Sequence, residues 1–338
     1  MRGRDRHAAV PARSQRRLHH LTDSSPTITP ASTCASGQAL VRPGFPMHFD
    51  FILAVSDFSA NSSHVLERAA LLARKHQTAL RLIHFTEHPT SFLVDPIARL
   101  AQRARQLARR HEIAVHALER SASLKEVLAE AGATGLLVMG PLSNRSWKRF
   151  FHGTTLDQAV HGSVCPILVV RQPPGNPYAR VLVAVDLSPR SGALIDFASR
   201  FAAPTVLKLF HAIDTIDDAR LRSVRATSEA IQAHRVGSRL QARDRLAQLV
   251  GHLDGTPIAS MSQSLTFDVG NGEPAQTTAK HLQATRAELV VVGKRRSSSL
   301  ARFLAGSVAQ RLARWAESDV LIAPLDRMPC PVASEHCS

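Results

Sequence analysis

The sequence predicts an α/β protein of two tandem domains, each built on a five-stranded parallel sheet, and three observations carry that prediction. First, an apolar run ending in Asp-x-Ser occurs twice, over 52–59 and 181–188. Second, each copy is followed by an apolar run ending in glycine and, thirteen residues on, by a Gly-[Ser/Thr] pair: Gly140 with Gly153-Thr154, and Gly293 with Gly306-Ser307. A repeated spacing of strand end, glycine turn and helix start marks two copies of one unit. Third, short apolar runs alternate with amphipathic segments from Phe49 onward, as parallel strands with crossover helices require.

The elements follow in order from that alternation. In the first unit, the run FILAV predicts a strand over 51–55, followed by an amphipathic helix over 61–76 and a strand over 79–85. Helix 96–110 opens on Pro96 and leads to strand 113–118. Helix 124–131, strand 136–139, helix 155–161 and strand 166–170 complete the unit. The second unit repeats the order with strand 181–185, helix 190–201, strand 206–211 and a helical stretch over 216–250 that Gly237 is expected to break. Strand 258–269, helix 274–285, strand 289–292, helix 307–316 and strand 320–323 close it. VLVAV and ELVVVG are near-continuous in Val and Leu, the composition of strands covered on both faces.

Pro173, Pro174, Gly175 and Pro177 fall together, so 172–178 is the expected linker between domains at 48–171 and 179–326. Residues 1–46 carry seven arginines against Asp5 and Asp23, are rich in Pro, Ser, Thr and Ala, and show no apolar periodicity. A disordered basic extension over 1–47 is expected, with an over-extended reading frame ahead of Met47 preferred to a targeting peptide. A short polar tail over 327–338 ends the chain.

With 44% hydrophobic and 20% charged residues the composition is that of an ordinary globular protein, and no apolar run reaches the ~18 residues of a membrane-spanning helix. Cys34, Cys165, Cys330 and Cys337 form no C-x-x-C pair, which points to a reducing compartment, the cytoplasm, and to no metal. The net charge of +15 raises nucleic acid as a partner. About a third of it lies in the first 46 residues, and the seven arginines of 216–250 are interleaved with Asp217, Asp218, Glu229 and Asp244, the pattern of a solvated face.

Ligands of open parallel sheets sit beyond the carboxyl ends of the strands, where Asp57 and Asp186 fall. Ser59 and Ser188 read as helix N-caps, Ser188 with Pro189 behind it. The aspartates stand two positions too early for that role and are candidates to accept hydrogen bonds from a ligand. Backbone N–H groups at Gly153-Thr154 and Gly306-Ser307, with their hydroxyls, form candidate phosphate sites. Lys294, Arg295 and Arg296 in one loop, and Arg145, Lys148 and Arg149 in the other, either contact an anion or are solvated. His84, His211 and His152 read as rim or core histidines.

Taken together, Ser56-Asp57-Phe58-Ser59, Val185-Asp186-Leu187-Ser188, Val138-Met139-Gly140, Val291-Val292-Gly293, Gly153-Thr154-Thr155 and Gly306-Ser307 resemble the universal stress protein family, in a tandem arrangement like that of stress protein E. The closing runs CPILVV and DVLIAP extend the resemblance over about residues 49–325. It implies the adenine-nucleotide α-hydrolase-like fold, with sheets paired through their last strands into an internal pseudo-dimer and further pairing into a homodimer. It also implies an aspartate near ribose or adenine and a loop G-x2-G-x9-G-[ST] around the phosphates. Both copies depart from that loop, with Ser143 and Arg296 in place of the second glycine. If that position needs positive φ, a side chain costs about 1–2 kcal/mol or blocks the phosphate.

The expected site residues are thus Ser56, Asp57, Met139, Gly140, Ser143, Gly153, Thr154 and Thr155 in the first unit. Val185, Asp186, Gly293, Arg296, Gly306 and Ser307 are their counterparts in the second. The expected function is a non-catalytic, bacterial-type stress sensor or adaptor acting on an unknown protein partner, with ATP bound weakly or not at all. The alternatives are an ATP-binding switch using the first unit and a nucleic-acid-associated basic protein.

Overall fold

The residues FILAVS form β1 (Phe51–Ser56), and all six are buried because both faces of the strand are covered. Ile52 and Ala54 enter one core layer, while Phe51, Leu53 and Val55 enter the other. The computed structural model describes residues 48–86, 95–141, 154–175, 177–203, 205–215, 223–224, 226–253, 262–294 and 308–327. The first half continues through α1 (Ser62–His76), β2 (Ala79–Phe85), α2 (Pro96–His111), β3 (Val115–Ala122), α3 (Leu124–Ala131), β4 (Leu136–Met139), α4 (Thr155–Gly162) and β5 (Ile167–Val169). The second half runs through β6 (Arg180–Ala184), α5 (Ser191–Ala202), β7 (Thr205–Ile213), α6 (Ser228–Leu253), β8 (Ser262–Asn271), α7 (Pro274–Thr285), β9 (Leu289–Lys294), α8 (Val308–Trp315) and β10 (Asp319–Pro324). A 3-10 turn, Leu325–Arg327, follows.

The strands make a ten-stranded sheet in the order β3-β2-β1-β4-β5-β10-β9-β6-β7-β8. Pairing is parallel within each half, and β5 meets β10 antiparallel with Leu168 opposite Leu321. Helices α1, α2, α5 and α6 contribute to one core layer, and α3, α4, α7 and α8 to the other. Each layer runs without interruption through both halves. In each half the strand order reverses direction between the first and fourth strands, β1/β4 and β6/β9, which opens a crevice at their carboxyl ends.

Helix starts follow local chemistry. Pro96 opens α2 behind Asp95, whose carboxylate accepts from Ala98 N at 2.9 Å. Glu126 closes a capping box on Ser123 at the start of α3. The expected serine caps are corrected. Asn61 and Arg190 occupy the N-cap positions, and Ser59 and Ser188 lie in a preceding turn whose carbonyls accept from Ser62 N at 3.0 Å and Ser191 N at 2.9 Å.

The expected break at Gly237 is also corrected, since α6 runs continuously through it. The backbone-entropy cost of one exposed glycine, ~1 kcal/mol, is too small to interrupt a helix of good formers that packs Ala242 and Leu246 into the core. Strand β3 lies later than the apolar run predicted, because an edge strand paired only with β2 can continue through the polar Glu119, Arg120 and Ser121. The segment of the expected β8 before Ser262 falls outside the described residues.

The segment joining the halves is fastened by Asp319, which is fully buried. Its carboxylate accepts from Arg171 N at 2.8 Å, Gln172 N at 3.1 Å and the Tyr178 hydroxyl at 2.5 Å. The Arg68 guanidinium lies 3.4 Å from the same carboxylate and 4.3 Å from the centroid of the Tyr178 ring. Burial, reinforced by the Asp319 charge, pushes the Tyr178 hydroxyl well above its ordinary pKa and keeps it a donor.

Candidate functional site

The crevice at β1/β4 begins where β1 ends. Asp57 turns its Oδ1 back on its own chain, accepting from Ser59 N at 2.9 Å and from the Ser62 hydroxyl at 2.6 Å. This is an Asx turn that bridges to the first turn of α1, so the aspartate shapes the loop as well as facing the crevice. Burial pushes its carboxyl upward, but the hydrogen bonds from Ser59 and Ser62 outweigh that and hold it below the usual carboxylate range, so it is ionised at neutral pH. Phe58 adopts the left-handed region with φ 53°, a strained backbone for a bulky residue.

Gly140, at the end of β4, faces Asp57 across a cleft of about 350 Å³ that both residues line, together with Asn61 and Pro141. A Cβ on Gly140 would stand 2.9 Å from Asn61 Nδ2, which donates to the Val170 carbonyl at 3.0 Å. Close approach of that amide therefore requires the glycine. Ser56 is buried and its hydroxyl accepts weakly from Phe58 N at 3.4 Å. The Met139 and Val185 side chains sit in the core, leaving only their backbone near the crevices.

The second half repeats the loop but sets a different side chain over its glycine. Asp186 Oδ1 accepts from Ser188 N at 3.1 Å and the Ser191 hydroxyl at 3.2 Å, and Leu187 takes φ 56°. Over Gly293, however, lies the side chain of Leu325, with three of its carbons 2.4 to 2.9 Å from where a Cβ would stand. Leu325 is only 3% exposed. Beside it Arg190 Nη1 bonds Asp326 Oδ1 at 3.1 Å. The Ser188 hydroxyl is buried, with no hydrogen-bond partner among the described residues. Asn61 over Gly140 and Leu325 over Gly293 are the residues that distinguish the two crevices, and neither belongs to the repeated motif.

Thr154 and Thr155 open α4 as expected, with Thr155 buried. The Thr154 N–H and hydroxyl donate to Asp157 Oδ2 at 2.7 and 2.6 Å, a capping box that the T-x-x-D spacing in the sequence already marked. Arg314 grips the same carboxylate from the other half, its Nε donating to Oδ1 at 2.7 Å and its Nη2 to Oδ2. Burial raises the Asp157 pKa less than the Arg314 and Thr154 hydrogen bonds lower it. The start of α4 thus already holds an anion, supplied by its own chain.

Lys294 is corrected as an anion-binding side chain. Its ammonium donates to the carbonyls of Val160, His161 (3.1 Å) and Ser163 (2.6 Å), capping the carboxyl end of α4 across the junction. Ser143, Gly153, Arg296, Gly306 and Ser307 lie outside the described residues, as do Arg145, Lys148, Arg149, His152 and Arg295.

His84 bonds the Ser121 hydroxyl through Nδ1 at 2.7 Å and packs on Phe58, with ring centroids 5.2 Å apart. Burial lowers its pKa more than the Asp57 charge raises it. His211 donates from Nδ1 to the Val185 carbonyl at 2.9 Å. Cys165 is a buried free thiol whose pKa burial pushes up. Among the described residues, no group of three or more His, Cys, Asp and Glu could hold a metal ion, and no helix is long and apolar enough to cross a membrane.

The profile described as "Universal stress protein family" matches residues 48–171 and 177–324. A universal stress protein from Archaeoglobus fulgidus DSM 4304 superposes with a TM-score of 0.55 at 16% identity, covering 82% of this chain and 97% of that one. A functionally unknown protein from Pseudomonas aeruginosa PAO1 superposes with a TM-score of 0.54 at 20% identity, covering 83% of this chain and 94% of that one. No curated protein matches.

Proposed function

Because this chain belongs to the universal stress protein family, with two tandem matched segments, we propose that it is a non-catalytic sensor or adaptor of the stress response whose two nucleotide clefts are degenerate in different ways. We assign it to the cytoplasm and expect its output to be contact with a protein partner. The observation that carries this reading is the engagement of the Thr154 N–H and hydroxyl by Asp157: the donors a phosphate would need in the first half already bond an internal carboxylate. A phosphate must displace that carboxylate or share its surroundings at the cost of like-charge repulsion. In the second half Leu325 packs over Gly293, which supports reading that cleft as narrowed. A hydrolytic role finds no support in the Ser59 and Ser62 hydroxyls. The Ser62 proton goes to Asp57, the Ser59 oxygen lies 3.5 Å from that of Ser62, and His84 bonds Ser121.

A second reading is favoured by the open cleft between Asp57 and Gly140. The bonds from Ser59 N and the Ser62 hydroxyl both fall on Asp57 Oδ1, and Oδ2 would accept from a ribose hydroxyl. An ATP-dependent switch would use that cleft alone. Calorimetric titration of the full chain with ATP decides between the two, with Asp57→Asn as the variant because the amide oxygen preserves the acceptor for Ser59 and Ser62. The sensor reading expects at most one weak site per chain. A micromolar site abolished by Asp57→Asn establishes the switch instead, and two sites per chain overturn the closure of the second cleft.

A further inference from the structure

The loop that carries Asp57 has a second cavity on its other side, between α1 and α2, with a volume of about 380 Å³. Its walls include Phe58, Ser59 and Ser63 from the β1–α1 segment and Arg99, Arg103 and Gln106 from α2. Among the described residues, no carboxylate lines it. Helix α2 carries five arginines and no Asp or Glu between Pro96 and His111. Arg110 is drawn away to Glu67 at 3.3 Å, whereas among the described residues Arg103 bonds the neutral Gln106 at 3.2 Å, and Arg99 stacks 4.8 Å from the Phe58 ring centroid.

Two guanidinium groups one turn apart on a helix repel each other, so their convergence on one concavity costs stability unless an anion joins them. Phe58, in its left-handed backbone, is the strained wall between this cavity and the Asp57 cleft and supports the Arg99 guanidinium face. The Ser59 hydroxyl also has a donor to offer. It lies 3.5 Å from the Ser62 hydroxyl and interacts with the Asp57 carboxylate, and a phosphate oxygen in the cavity can compete for its proton.

We propose that the cavity between α1 and α2 is a phosphate subsite in which Arg99 and Arg103 clamp the phosphate oxygens and Ser59 donates to a third. Planar, forked guanidinium donors suit this geometry better than ammonium groups would. The phosphate is either that of a small phosphorylated molecule bound here alone or one carried by a nucleotide seated in the adjoining cleft, since Ser59 and Ser62 line both cavities.

The test is a calorimetric titration of the full chain with inorganic phosphate and, separately, with ATP, at constant ionic strength. It compares the wild type with the double variant Arg99→Gln, Arg103→Gln; both positions are exposed, and retained cooperative thermal unfolding confirms an intact fold. The expected result is saturable phosphate binding weakened about tenfold or more in the double variant. Competition between phosphate and ATP, with both weakened by the substitutions, assigns the phosphate to a nucleotide. Phosphate binding without such competition assigns it to a separate ligand. The proposal is overturned if neither ligand responds to the substitutions, or if phosphate binds the double variant as it binds the wild type. Asp57→Asn keeps the two readings apart: loss of ATP with phosphate retained in that variant removes nothing from the subsite.

Discussion

Leu325 packs over a glycine that the repeated motif alone would leave uncovered. Its side chain is buried against Gly293 and joins the core layer that holds Val183 and Val185. Leu325→Ala is expected to cost about 2–3 kcal/mol, read as a lower urea midpoint at unchanged slope. A cost under about 0.5 kcal/mol would mean that the side chain fills no packed space. The motif residues Asp57, Gly140, Asp186 and Gly293 were legible because a continuous apolar run marks its own end, and an aspartate or glycine at that end has few uses. Leu325 was not legible: it follows the last strand in a segment without periodicity, and its neighbour Gly293 is far away in sequence. The same distance hid Arg314 on Asp157 and Lys294 on the carbonyls of α4. Charged side chains in a loop look alike in a sequence whether they meet solvent, a ligand or a helix end.

Helix α1 ends in Arg74, Lys75 and His76, residues that read as ordinary partners of a helix carboxyl terminus. Packing gives them another role. Lys75 Nζ donates to the Phe201 carbonyl of α5 at 2.7 Å, and burial lowers its pKa to about 8. His76 is wedged between Phe49 and Phe201, with ring centroids 5.5 Å from each. Burial, then the charges of Lys75 and His48, take its pKa from the ordinary 6.5 down to about 4. Between those two values the unfolded chain binds a proton that the folded one refuses, so stability is held above pH 6.5 and lost as the pH falls toward 4. From pH 6.5 to 5 the loss is about 2 kcal/mol. Urea midpoints at pH 7 and 5 for the wild type and His76→Gln check this, and equal pH dependence in the two proteins would rule it out. Most other elements were legible to within two residues, as Ala79–Phe85 and Pro274–Thr285 show. The end at β3 was misplaced because tertiary pairing overrode local pattern there.

Across both halves, the pairing of β5 with β10 and the two uninterrupted core layers make the described residues 48–327 one packed body. Asp319, in β10, bonds the backbone of Arg171 and Gln172 and the Tyr178 hydroxyl while facing Arg68 of α1, so neither half retains its buried groups satisfied without the other. Heating is therefore expected to unfold both halves in a single transition, with calorimetric and van't Hoff enthalpies equal. Two resolved transitions, or a van't Hoff enthalpy near half the calorimetric one, would contradict that. The doubled architecture was legible from two repeats of one spacing; the contacts that weld the halves were not, because each joins residues more than 100 positions apart.

The antiparallel seam between Ile167–Val169 and Asp319–Pro324 is made within one polypeptide. Dilution cannot separate its sides, as it can separate identical chains that meet by collision. A change on one side also has no obligatory copy on the other, whereas in a homodimer every substitution appears twice. Covalent tethering thereby lets the twin halves diverge, one with a cleft beside Gly140 and the other with a leucine over Gly293.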